Sequence, residues 1–256
     1  MNKKTKKISS ASLINEIVIL CKIHRFSCKI IGYEKFEKIK QEYPLYKIVI
    51  NPKAKISFCI IAGVHGDEIA GPFTVIDMLK KPKIFDDKIR YDIFPLINPT
   101  GFDLRRRYND DNRDLNCLNK KTLKSKNYRE LKAFNNSTKN DKFDALISLH
   151  EDLSQTKFYA YIYEKEKNPL YRRIISLTEK TVNIWKTKNI YENFSDCKGL
   201  ATNAHDQSIE DRLYRQGRAK ISLTTETPGK LPLKKRIKIN LNNIKTINKY
   251  LINNIK

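Results

Sequence analysis

The sequence predicts an α/β sandwich with a mostly parallel sheet, and two observations carry that prediction. Apolar runs of strand length alternate along the chain with amphipathic helical stretches, the pattern of a sheet covered by helices. The residues with chemistry to offer, His65 with Glu68, then His150, then Glu226, sit where such strands end. Open α/β sheets bind their ligands outside the carboxyl ends of strands.

Residues 11–22 begin the series with Leu13, Ile14, Ile17, Leu20 and Cys21, a stripe at helical spacing. Phe26–Gly32 and Tyr46–Ile50 read as strands, Asn51-Pro52 as a turn, and Ile56–Ala62 as a third strand. Gly71-Pro72 opens a helix that runs to about Lys80, with Val75, Ile76 and Leu79 inward. Ile89–Ile97 is a strand ending at Asn98-Pro99, and residues 98–118 read as a long arginine-rich loop. Residues 119–142 are polar and lysine-rich, with a short helix around Tyr128–Phe134, and read as the most flexible segment. Asp144–Leu149 is an apolar strand, Phe158–Tyr163 an aromatic one and Leu170–Trp185 an amphipathic helix. A loop over 187–207, a short helix at Ile209–Gln216 and a last strand at Ile221–Thr225 follow. The tail carries Ile237, Leu241, Ile244, Leu251 and Ile255, a helix face that would pack on the sheet.

With 256 residues the chain is long enough for one domain, 1–256, with a sizeable core, and no internal repeat or linker divides it. A hydrophobic content of 40% fits a globular protein. No apolar run approaches the roughly 18–20 residues that a membrane helix needs. The N-terminus Met1–Lys7 is basic, but the polar residues after it do not form a signal-peptide core, so the expected location is cytoplasmic, with no membrane partner. Five widely spaced cysteines (Cys21, Cys28, Cys59, Cys117, Cys197), with no C-x-x-C, argue against a disulfide framework or a cysteine zinc knuckle. The net charge is +23, from 51 Lys+Arg against 28 Asp+Glu. Charge alone is not specific for a polyanion. Lys, Asn and Ile are abundant throughout, so a lysine-rich solvated surface is the reading preferred over a nucleic-acid partner.

Ser57–Glu68 reads S-F-C-I-I-A-G-V-H-G-D-E. A buried strand stops at Gly63, and His65 and Glu68 follow on one tight turn. Imidazole and carboxylate both suit zinc, although His-x-x-Glu is also an ordinary surface ion pair. A catalytic zinc needs three protein ligands and an open position. His150, at a strand end, is the third candidate. Glu226 could take a proton from an activated water and pass it to a leaving amine. The loop N-P-T-G-F-D-L-R-R-R-Y-N-D-D-N-R-D-L-N-C, residues 98–117, holds cations suited to an oxyanion or a substrate carboxylate.

These pieces in this order resemble the zinc carboxypeptidase superfamily, which includes the succinylglutamate desuccinylase and aspartoacylase branch. The matching segments are His65-Gly-Asp-Glu68, Asn98-Pro-Thr-Gly101, Arg107-x-Asn109, Asp114-Leu-Asn116, His150 and Glu226, spanning about two thirds of the chain. The resemblance implies a single-domain three-layer sandwich with a mixed, mostly parallel, twisted sheet. It implies one zinc per chain held by His65, Glu68 and His150, with Glu226 as general base and acid. Arg107 would polarise the carbonyl and stabilise the oxyanion. Asn116, with Asn109 and Arg107, would bind substrate, and Asp114 would orient His65. Expected substrates are small peptides or acyl-amino acids. One departure stands out: Cys117 occupies the place where the family usually has a carboxylate-binding arginine. Arg105, Arg106, Arg113 and an arginine of 212–218 are the substitutes in view. Cys117 itself reads as a small packing residue or as a thiol activated by nearby cations. Tyr191 and Tyr214 are the candidates for the family's mobile tyrosine. Rival functions are an N-acyl amino-acid deacylase or murein-peptide amidase and, in another class, a polyanion-binding pseudoenzyme.

Overall fold

The computed structural model describes residues 8–36, 41–164, 168–191, 193–195 and 198–255; the basic stretch Met1–Lys7 and Cys197 lie outside them. Helix α1 (Ser10–Ile23) is capped by Ser9, whose hydroxyl accepts the Ser12 N–H, and buries the predicted residues Leu13, Ile14, Ile17 and Cys21. Strands β1 (Ser27–Phe36) and β2 (Gln41–Ile50) pair antiparallel with Ser27 opposite Val49. Both exceed their apolar cores, because the ladder continues through polar residues such as Glu34 and Glu42. Strand β3 (Ile56–Ala62), helix α2 (Ala70–Lys80) and strand β4 (Ile89–Phe94) follow.

The predicted loop after β4 contains a helix, α3 (Pro99–Leu104). Asn98-Pro99 is not only a turn signal. The Asn98 side chain accepts the Gly101 N–H as N-cap, and Pro99 occupies the first helical position. The segment expected to be flexible is also built, as α4 (Lys120–Lys124) and α5 (Arg129–Thr138). A reciprocal Asn119–Thr122 capping box starts α4, and Leu131 and Phe134 of α5 are buried.

Strand β5 (Phe143–Asp152) runs through His150, and β10 (Ala219–Pro228) runs through Glu226, so both residues lie within strands. Between them come β6 (Tyr159–Ile162), α6 (Pro169–Glu179), the two-residue strands β7 (Asn189–Ile190), β8 (Asn193–Phe194) and β9 (Leu200–Ala201), and α7 (Ile209–Arg215). Helix α6 ends six residues short of Trp185, whose N–H instead donates to the Phe158 carbonyl at 2.9 Å. The chain closes with α8 (Leu233–Asn254), which buries Ile239, Ile244, Ile247 and Leu251. Leu241 and Ile255 of the predicted face are only partly buried.

One eight-stranded sheet has the order β1-β2-β4-β3-β5-β10-β6-β9. Its centre, β4-β3-β5-β10, is parallel, and β2 and β6 join it antiparallel. Alternate residues of β3 face opposite layers, as strand geometry dictates. Phe58, Ile60 and Ala62 pack with residues of α1, α2, α6 and α8. Cys59 and Ile61 pack with Leu131 and Phe134 of α5 and Ile209 and Leu213 of α7. The result is the three-layer sandwich, with β3, β5 and β10 side by side at its centre. Among the described residues no helix is long and apolar enough to cross a membrane, and Cys21, Cys28, Cys59 and Cys117 are free thiols.

Candidate active site

Register decides where the chemistry meets. Ala62, the last residue of β3, lies opposite Leu149 of β5, and His150 lies opposite Glu226 of β10. The turn after β3 therefore opens beside His150 and Glu226. Gly63 makes that turn at φ +62°, and a Cβ there would meet Leu96 Cδ1 at 2.6 Å. Gly66 lies against the first turn of α3, where a Cβ would fall 1.9 Å from the Gly101 carbonyl carbon. Asn98 joins the pieces. Its N–H donates to the Gly63 carbonyl (2.8 Å), and its amide donates to the carbonyls of Val64 (3.3 Å) and Arg107 (3.1 Å). The Asn-Pro-Thr-Gly segment is thus a bracket that fixes the His-x-x-Glu turn against the arginine loop.

His65, Glu68 and His150 converge, all buried. His65 Nδ1 lies 2.5 Å from Glu68 Oε1, His150 Nδ1 2.9 Å from Glu68 Oε2, and the two Nδ1 atoms are 3.1 Å apart. On the far side of the first ring, His65 Nε2 is 3.2 Å from Asp114 Oδ1. Arg107 Nε donates to Asp114 Oδ2 (2.9 Å), and its Nη1 approaches Glu68 Oε1 to 3.8 Å. The Glu151 N–H donates to Glu68 Oε2 at 3.1 Å.

Sequence reasoning missed Glu210. It sits in the first turn of α7, fully buried, and neither carboxylate oxygen receives a hydrogen bond among the described residues. Its Oε1 is 4.0 Å from His150 Nε2, which is likewise without a partner among the described residues. No local pattern marks it, because the contact spans 60 residues of sequence.

Burial disfavours charge on all these groups, and their partners decide the outcome. For His65 the carboxylates of Glu68 and Asp114 outweigh burial and hold the imidazole up at about 9. For Glu68, His65 and His150 outweigh burial and keep the carboxyl well below its ordinary range. Asp114 is depressed in the same way by His65 and Arg107. Glu226 goes the other way: burial, reinforced by Glu68 and Asp152 and opposed by His150 and Arg107, pushes it up to about 8.

The donor set suits a divalent cation. Two imidazoles, each with Nε2 directed toward a carboxylate, present Nδ1 to one another and to Glu68. Only protons or a cation between them relieve that convergence. Two nitrogens and one carboxylate are a zinc-type set that leaves a fourth position open.

The other expected residues are distributed as follows. Asn116 is half-buried; its N–H donates to Asp114 Oδ1 (2.8 Å) and its Oδ1 accepts the Ile209 N–H (3.4 Å). Asn109 is not brought to the triad. It is fully buried and donates to Glu130 Oε1 (2.9 Å) and the Asn127 carbonyl, while accepting the Arg113 N–H. Burial and Asp114 push the Cys117 thiol up, with Tyr128 opposing, so the activated-thiol reading finds no cation to support it. Tyr191 is exposed and donates to Asp152 Oδ2 (2.5 Å), packed beside Tyr159 and Trp185. Tyr214 belongs instead to the surroundings of Glu164 and Tyr171. Arg105 reaches the Ile8 carbonyl and Arg106 the Asn109 carbonyl. Arg218 precedes Ala219, the first residue of β10, which is itself about 23 Å of strand away from Glu226 at ~3.3 Å per residue. Arg113 is exposed and shares the vicinity of Tyr128 with Cys117.

The model of the succinylglutamate desuccinylase/aspartoacylase catalytic domain matches residues 54–182, half of the chain. The chain belongs to this family. That places it among hydrolases of the carboxypeptidase-like superfamily, as the ordered motifs led one to expect. Glu210 and Glu226 lie beyond the matched residues. A candidate metallopeptidase from Shewanella amazonensis is 24% identical, with a TM-score of 0.76 over 94% of this chain and 91% of its own. A second, from Shewanella denitrificans, is 19% identical, with a TM-score of 0.78 over 99% and 98%. A metallo-carboxypeptidase from Burkholderia cenocepacia is 14% identical, with a TM-score of 0.73 over 96% and 70%. At these identities the likeness shows the fold. Among curated proteins no match was found.

Proposed function

We propose that this protein is a zinc-dependent hydrolase that cleaves a peptide or amide bond next to a carboxylate-bearing residue. The observation that carries the reading is the convergence of His65, Glu68 and His150 beside Glu226 and Arg107. Zinc bound there by His65, Glu68 and His150 would supply Lewis acidity for water activation.

The protein's own groups divide the remaining work. Glu226, paired with His150 across the β5–β10 ladder, would take a proton from the attacking water and return it to the departing amine. Its carboxyl is raised here, and a cation held by the triad would bring it back down toward the range a general base needs. Arg107, braced by Asp114, places a permanent cation where the carbonyl oxygen gains charge. Asp114 fixes the ring of His65, and the buried Glu210 carboxylate, 4.0 Å from His150 Nε2, attracts the N–H side of that ring. Asn116, with Oδ1 occupied by the Ile209 N–H, keeps its NH2 group to donate to a substrate carboxylate. Arg113, exposed on the same loop three residues before Asn116, is the first arginine to test as its support.

The family match favours an acyl-amino acid as substrate, so N-acyl amino acids are screened beside C-terminal peptides and murein peptides. On any substrate found, Glu226→Gln lowers kcat by about 10²–10⁴ with zinc content unchanged. Wild-type turnover in that variant contradicts the mechanism.

A further inference from the structure

A second group of carboxylates lies at the root of the arginine loop. Glu34 comes from β1, Asp110 from the loop and Glu130 from the first turn of α5, and one oxygen from each lies within 4.8 Å of the others. Glu34 and Glu130 are 0% and 1% exposed, and the Asp110 side chain 5%.

The hydrogen bonds leave a distinctive remainder. Thr100 Oγ1 donates to Glu34 Oε1 (2.7 Å), and Asn109 Nδ2 donates to Glu130 Oε1 (2.9 Å). The Asp110 N–H donates to Thr100 Oγ1 at 3.2 Å, tying Asp110 to the same residue that holds Glu34. Glu34 Oε2, Asp110 Oδ1 and Glu130 Oε2 receive no hydrogen bond among the described residues. Arg129 Nη2 comes only to 3.7 Å from Asp110 Oδ1 and 3.6 Å from Asp111 Oδ2. Buried carboxylate oxygens without donors are costly. Burial and the neighbouring Glu130 accordingly push the Glu34 carboxyl well up. A single proton shared by Glu34 and Glu130 would leave Asp110 Oδ1 with only the long Arg129 ion pair at 3.7 Å. One cation satisfies all three, and an all-oxygen, carboxylate-rich set is what calcium-class ions select, with water completing the shell.

We propose that Glu34, Asp110 and Glu130 form a second cation site, for a hard divalent ion of the calcium class, which pins the arginine loop to β1 and α5. Asp110 is three residues beyond Arg107 and four before Asp114, so the ion would hold the segment that carries both. Asn109 then acts as a positioning residue for the second site through Glu130, which accounts for its inward side chain.

Calcium chloride is titrated into zinc-saturated wild type and, in parallel, into His150→Ala, so that the result is independent of the triad. The expected result in both is one bound calcium per chain and a rise in Tm of about 5–10 °C at a hundredfold excess over Kd. Glu34→Gln and Glu130→Gln abolish both effects. Should either variant fail to fold, Asp110→Asn, on the loop, makes the same comparison. Two results overturn the proposal. One is no binding of calcium, magnesium or manganese by wild type, with Glu34→Gln at least as stable as wild type, the mark of a shared proton. The other is calcium binding that survives all three substitutions.

Discussion

Replacing Gly66 by alanine puts a methyl group where two backbones already touch. The new Cβ would fall 1.9 Å from the Gly101 carbonyl carbon and 2.2 Å from the Phe102 nitrogen, where ordinary contact begins at 3.4 Å. The obstacle is main chain, so no side chain can swing away. The turn and α3 must separate by about 1.5 Å, an overpacking that costs about 1–3 kcal/mol. In a chain of this size each kcal/mol lowers Tm by about 2–4 °C, so a fall of about 2–12 °C is expected. The turn carries His65 and Glu68, and a shift near 1 Å at such a site costs about 10² in rate. Thermal unfolding reads the loss of stability, and a chelator competition for zinc reads the displacement of the two ligands through a weakened affinity. Gly217→Ala is the control. Its φ is positive, at +65°, unlike that of Gly66, and nothing lies within 4 Å of the added Cβ. Its cost is backbone strain of about 1–2 kcal/mol, with zinc affinity unchanged. If Gly66→Ala matches Gly217→Ala in both measurements, the two motifs are not braced as described.

Other predictions follow from single contacts. Asp114→Ala and Glu210→Ala each weaken zinc binding by about 10–100-fold in the same competition, because each frees one imidazole. Asp144 is opposed by its burial but held below the ordinary carboxylate range by Lys220 Nζ (2.7 Å) and the Ser57 N–H (2.9 Å). A depressed carboxyl stabilises the fold above its unfolded value of about 3.9 and loses that effect as pH falls through the folded value. Asp144→Asn therefore costs about 1 kcal/mol in urea unfolding at pH 7, given the exposed lysine, and close to nothing near pH 2. Ile60→Ala, at the centre of β3 and fully buried, costs about 2–5 kcal/mol in the same assay.

The parallel centre of the sheet was legible because β3 and the apolar part of β5 are nearly unbroken hydrophobic runs, which only a doubly covered strand requires. The triad was legible because its members lie at or just beyond the ends of those runs. The β1–β2 hairpin was read too short, since ladder hydrogen bonds carry polar residues that apolarity does not detect. Helix α3 was hidden by reading Asn98-Pro99 as a turn, although cap-then-proline is equally the start of a helix. Residues 119–142 looked loose by composition. Their order comes from the Asn119–Thr122 box and from burial of Leu131 and Phe134, the latter settled only by tertiary packing. Asn109 was read from motif position as a substrate ligand, but its side-chain contacts run to Glu130, Asn127 and Arg113. Glu210 and the Glu34–Asp110–Glu130 group arise from residues distant in sequence, which no spacing rule connects.

The central claim is the three-ligand metal centre, and metal content tests it most directly. Elemental analysis of purified wild type and His150→Ala, both supplied with zinc and then desalted, should give about one zinc per chain in the first and none in the second. Equal zinc in both proteins, or none in either, contradicts the account.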